Sequence, residues 1–227
     1  MDIYLKSNQI NILNNTGFAM HILEIIEPKM RTIRSQGPIP SGENQKSKNF
    51  IDSGNFSMVH QDDDPHMVKK TSRGAKESEI DGYWVFVNYV IKNKLWENPY
   101  FPRFYKQDTR VYQGNRKIKD VTMEKLQPLT KISQEEGQFL YRKVFGKEVD
   151  KFNHGDFAIR VEDEVSRGNF KGNVSNYDTN YVSAVKMLHK MASKHNMGVD
   201  IWENNLMVRR GRTGLQLVIT DPFAHRM

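Results

Sequence analysis

The sequence predicts an α+β fold: a five-stranded antiparallel sheet carrying one inserted helix, followed by a mainly helical half that closes on a loop and a hairpin. Three observations carry this expectation. Short apolar pieces separated by turn residues fill 50–126. Helical periodicity is strong over 77–93, 133–146 and 178–196. The last apolar pieces, LMV and LQLVI, return to strand length around a basic turn.

The elements follow in order. Phe18, Ile22, Ile25, Ile26 and Met30 make a helical stripe over 17–34, interrupted by Pro28. The Pro, Gly, Ser and Asn of 35–49 then read as a linker, so residues 1–49 are expected to be a helical appendage and linker. From Phe50, FIDSGNFSMVHQ reads strand, Gly turn, strand, and DDDP turns the chain into HMVKKTS. Ile80, Trp84, Val87 and Ile91 share one face of the next helix, which Pro99 and Pro102 end. Two strands then flank the hairpin signal Gln113-Gly114-Asn115-Arg116. In the second half, Tyr181, Val185, Leu188 and Met191 recur at helical spacing behind Asp178 or Thr179 as cap. The polar, Gly/Asn-rich stretch 148–177 receives no assignment. The division expected is 1–49, 50–126 and 127–227.

Bulk properties narrow the function. At 227 residues the chain can bury a substantial core. It has no apolar window long enough for a spanning helix and no secretion signal at its start. Zero cysteines exclude disulfides, thiolate catalysis and cysteine-ligated zinc, and point to a cytosolic setting. Lys and Arg number 34 against 27 Asp and Glu, a net +7 that favours acidic partners at long range. The cations are scattered apart from Arg209-Arg210-Gly-Arg212, which argues against a nucleic-acid module.

The chemistry concentrates near the end. Asp200 and Asn205 lie five positions apart, and Asp221 follows the apolar run Leu217-Val218-Ile219. Two carboxylates and an amide, spaced by a loop and a hairpin, suit a magnesium–nucleotide phosphate site, because magnesium takes hard oxygen ligands and leaves positions for phosphate and water. Upstream, Lys69 or Lys70 ends a strand, and a one-residue slip decides which of the two faces the cleft. Glu77 and Asp81, four apart, are the acids that the following helix could offer to that lysine.

With these pieces in this order the chain resembles the early protein kinases of T7-type bacteriophages, a reduced branch of the protein-kinase fold. The likeness spans about residues 50–223 and is specific at SGNFS (53–57), MVKK (67–70), VTMEKL (121–126), DIWENNLMV and ITDP. It implies a bilobal fold, with an N-lobe over 50–126 and a truncated, mainly helical C-lobe ending just after the metal-binding aspartate. It implies ATP and Mg2+, with Asn205 and Asp221 as metal ligands and Asp200 as the acceptor of the substrate hydroxyl proton. Lys69 would hold the α- and β-phosphates, oriented by Asp81 or Glu77. Gly54 and Asn55 would approach phosphate, and Met123, Glu124 and Leu126 would form the adenine hinge. The activity implied is serine/threonine phosphorylation of host proteins of transcription, RNA processing or translation, in the host cytoplasm.

The chain departs from the wider kinase pattern at several points. Trp202 and Glu203 stand where most kinases place a lysine or small polar residue near the transferred phosphate. Gly198-Val199 replaces His-Arg, and a single Gly54 replaces the G-x-G-x-x-G loop. The alternative expectation is therefore a pseudokinase-like protein that binds and inhibits a host factor without phosphoryl transfer. His154-Gly155-Asp156, which imitates another phosphotransferase triplet, has Val161 where that pattern needs Asn and is set aside.

Overall fold

The computed structural model describes residues 49–53, 57–72, 81–111, 117–212 and 214–224. The helix predicted over 17–34, the turn residues Gly54 and Asn55, and Glu77 lie outside them. The fold is α+β, with a five-stranded antiparallel sheet and four α-helices among the described residues.

The sheet is built from β1 (Phe50–Ser53), β2 (Ser57–Gln61), β3 (Met67–Ser72), β4 (Phe104–Val111) and β5 (Lys117–Glu124), in the order β1-β2-β3-β5-β4. Register in the centre is continuous: Lys69 opposes Thr122, Lys70 opposes Val121, and Thr71 opposes Asp120. Side chains alternate across the sheet. Val68 and Ser72 are buried on one face, and Lys70, between them, shares that face.

Helix α1 (Gly82–Lys92) covers this face. Asp81 caps it by accepting from the Trp84 backbone N–H, and Trp84 Nε1 donates to Ser72 Oγ at 3.2 Å. The helix described lies within the expected 77–93, of which 77–80 fall outside the described residues, and Asp81 serves its exposed N–H groups as a cap. Phe86 packs edge-on against Phe104 and Phe223, which ties helix, sheet and chain end together.

The second half contains α2 (Gln134–Phe145), α3 (His154–Arg167) and α4 (Thr179–His195). Ser133 and Glu136 form a reciprocal capping box on α2, and Asp178 caps α4 through the N–H groups of Asn180 and Tyr181. Helix α3 occupies the stretch that the sequence left unassigned; Asn153 caps it, and His154-Gly155-Asp156 is its first turn. Helices α2 and α3 meet around Phe145, Phe152 and Phe157. Within this core the buried Glu164 accepts from Tyr177 Oη at 2.8 Å, Tyr181 Oη at 2.9 Å and Arg160 Nε at 3.3 Å. Those donors offset the cost of burying a carboxylate.

A second sheet, β6 (Gln127–Pro128), β7 (Leu206–Gly211) and β8 (Gly214–Ile219), follows β5 directly at its β6 edge. The junction is polar and centred on Arg209 and Glu124. Arg209 donates to both carboxylate oxygens of Glu124 and to the carbonyls of Pro99 and Phe101, while Glu124 Oε1 also accepts from the Arg103 N–H. Ile219 N–H donates to Tyr100 O at 2.9 Å. The loop between α1 and β4 is thereby fastened to the second sheet. No helix among the described residues is long and apolar enough to cross a membrane.

Candidate functional site

The hairpin β7–β8 determines the local geometry. Leu206 opposes Ile219, so the residues just outside the pair, Asn205 and Thr220, face each other. The Thr220 N–H and Oγ1 both donate to Asn205 O at 3.0 Å. Asn205 Nδ2 in turn donates to Asp200 O at 2.7 Å. Asp200 N–H donates to Pro222 O at 2.9 Å, Val199 bridges Phe223, and Ala224 N–H donates to Gly198 O at 3.1 Å. The loop carrying Asp200 and the segment after Asp221 are thus laced into one unit. Because the Asn205 amide nitrogen is committed to the loop carbonyl, its Oδ1 is the end left to offer a ligand.

Lys70 reaches this unit from the sheet. Its Nζ lies 2.8 Å from Asp221 Oδ2, with the two side chains only 16% and 26% exposed. Nζ also sits 3.7 Å from the centroid of the Tyr83 ring, a cation–π contact in a partly desolvated setting. Tyr83 Oη points to Met123 Sδ at 3.8 Å, so α1, β3, β5 and the Asp221 segment converge on one point. Burial pushes the Tyr83 phenol well above its ordinary range, and the carboxylates of Asp221 and Asp81 add to this. The phenol is neutral.

The structure sorts the expected residues into groups. Asp200, Asn205 and Asp221 come together, with Lys70 and Met123 at their edge. Lys69 does not join them: it projects from the other face of β3 and lies 3.2 Å from Asp120 Oδ2, whose other oxygen accepts from Thr71 Oγ1. Strand alternation is the physical reason, since Lys69 and Thr71 share one face and Lys70 the other. Asp81 is the cap of α1, although its charge is felt at Tyr83. The Glu124 side chain turns away into the Arg209 junction, so only its backbone faces the connection to Leu126. Leu126 is partly buried against the core.

Two contributors were not anticipated. Tyr83 follows the helix start and carries no polar motif, so no spacing rule marks it. Glu162 of α3 lies close enough to Asp200 that burial, Asp200 and Asp163 together raise its pKa. Glu203 of the loop approaches α3 in turn, with its Oε2 3.7 Å from where a Cβ on Gly155 would stand. Among the described residues no three His, Cys, Asp or Glu side chains cluster to hold a metal by themselves. Asn205 and Asp221 supply two hard oxygens, which fits a cation that takes its remaining ligands from phosphate and water. The chain matches no protein-family model and no curated protein.

Proposed function

We propose that the chain is an ATP- and Mg2+-dependent serine/threonine protein kinase of reduced, bilobal, protein-kinase-like form, acting on proteins of a bacteriophage's host. The observation that carries the reading is the convergence of Lys70 on Asp221 beside an Asn205 amide locked to the Asp200 carbonyl. Residues from three separated segments supply the groups that phosphoryl transfer needs, a cation, two hard oxygens and a proton acceptor, which supports the reading.

The roles follow from placement. Backbone groups of Glu124 and Leu126 take the adenine, and Met123 closes the inner wall. Lys70 leaves its ion pair with Asp221 to hold the α- and β-phosphates. Asn205 and Asp221 would hold Mg2+, which when bound would supply charge neutralisation at the phosphates. Asp200 orients the attacking serine or threonine hydroxyl. Its oxygen bonds to the γ-phosphorus as the bond from that phosphorus to the β,γ-bridging oxygen breaks. The proton passes to the Asp200 carboxylate and ADP leaves.

A second reading is favoured by one specific observation: Trp202, 58% exposed, and Glu203 occupy the loop between Asp200 and Asn205 where a cation would aid transfer. On that reading the protein binds and inhibits a host factor without chemistry. Labelled ATP, Mg2+ and host extract separate the two. Asp221→Ala should lower label transfer about a thousandfold, equivalent to ~4 kcal/mol of barrier, and Asp200→Ala should abolish it while nucleotide binding survives. Absence of transfer by the unmodified protein, with host-factor inhibition intact in both variants, would establish the second reading instead.

A further inference from the structure

The face of α3 that meets the Asp200 loop runs Gly155, Ile159, Glu162, one helical turn apart at each step. Gly155 lies against Glu203 and Glu162 lies near Asp200, so Ile159 stands between the two contacts. Ile159 is 55% exposed and Trp202, between Asp200 and Glu203 in the chain, is 58% exposed. The helix face and the loop that meets it through Gly155 and Glu203 thus each present one large, open apolar side chain at a candidate active site.

The charges around them share one sign. Among the described residues no cation pairs with Glu162, Asp200 or Glu203, in a chain whose net charge is +7. Asp163 nearby is different: Arg167 lies 2.6 Å and Lys171 3.0 Å from its two oxygens. The cations of α3 and the turn after it are thus committed to Asp163 and Glu164 and not to the acids that face the loop.

We propose that Ile159, Glu162, Trp202 and Glu203 form a docking surface for a basic, apolar-containing peptide segment of a partner protein. An aliphatic or aromatic side chain of the segment packs on Trp202 and Ile159, and its Lys or Arg side chains pair with Glu162 and Glu203. This rests on the kinase reading in one respect: the segment is then the stretch flanking the phosphoacceptor, brought to Asp200 by those contacts. The local acidity selects a basic segment even though the whole chain attracts acidic surfaces at long range.

The test separates docking from transfer. Two fluorescein-labelled peptides with one leucine and a central alanine, flanked by three arginines or by three glutamates, are titrated with the full chain without ATP, and anisotropy is read. The arginine peptide should bind and the glutamate peptide should not. Glu162→Lys and Glu203→Lys should each weaken the arginine peptide at least tenfold, and Trp202→Ala should weaken it with unchanged salt dependence. Circular dichroism melting and affinity for a non-hydrolysable ATP analogue monitor folding in each variant. Equal binding of both peptides, or arginine-peptide binding indifferent to both charge reversals, overturns the proposal. Serine versions of the same peptides are then given labelled ATP. Docking as described without label transfer leaves the surface standing and removes the kinase reading. Transfer to both peptides at equal rates keeps the kinase and removes the surface.

Discussion

Replacing Glu124 by Met removes the acceptor that holds Arg209 at the junction of the two sheets. The Arg209 side chain is 16% exposed and that of Glu124 11%, so each is a charged side chain taken largely out of water. Breaking such a pair from one side costs about 3–5 kcal/mol, because the remaining charge stays buried without its partner. Here the loss is compounded at the Arg103 N–H, which also donates to Glu124. For a chain of this size each kcal/mol lowers Tm by ~2–4 °C, so the single variant should melt about 6–20 °C lower. Arg209→Met should cost a similar amount, since it also strips donors from the Pro99 and Phe101 carbonyls. The double variant Glu124→Met/Arg209→Met should be less destabilised than the sum of the singles, with a coupling of about 2 kcal/mol or more. Urea denaturation followed by circular dichroism measures all three. Single variants within ~1 kcal/mol of the parent, with an additive double, would refute the view that this pair holds the junction.

Three further outcomes are expected. Lys70→Met should lower label transfer by about 10²–10³, whereas Lys69→Met should leave transfer within about threefold and cost only ~1–2 kcal/mol of stability, since Lys69 is 40% exposed; radiometric assay and melting read the two effects. The Glu162 carboxyl is raised by burial, Asp200 and Asp163, so the folded state holds that proton more tightly than the unfolded state. Stability from this group is fully present below the ordinary glutamate range and is lost as pH rises through the raised value. Glu162→Gln should therefore increase Tm at pH 7 and lose this advantage near pH 4; the opposite pH trend would contradict the assignment. Gly137→Ala, normally favourable inside a helix, should instead destabilise by about 1–3 kcal/mol, because its Cβ would stand 2.2 Å from the Phe152 ring; a rise in Tm would disprove that crowding.

Much of the architecture was legible because period and punctuation agreed. Helices α2 and α4 and the two hairpin strands β7 and β8 fall where spacing put them, and of the two candidate caps, Asp178 and Thr179, it is Asp178 that caps α4. Helix α3 went unread although Phe157, Ala158, Val161 and Val165 carry its apolar stripe. Charged residues dominate the remainder, and Glu164, buried within the stripe, looks like solvent-facing sequence until its tyrosine donors are known. In the candidate site, the proximity of Asp200, Asn205 and Asp221 is legible from a loop and hairpin of ordinary length. Which lysine faces Asp221 is not, because Met67 and Val68 give each lysine an apolar neighbour of its own parity, and the burial of Val68 puts Lys70 on the covered face. Tyr83 and Glu162 enter through tertiary contacts alone.

Gly82 opens α1 with no side chain, and a Cβ there would lie 2.8 Å from Ala224 O and 2.9 Å from Phe223 Cβ. The requirement is for space, and it binds two places 141 positions apart along the chain, counting from 82 to 223. Across any lineage of such sequences those places are one unit of inheritance. A side chain gained at 82 can persist only alongside a redrawn path after Asp221, and a lineage that keeps this path keeps the glycine.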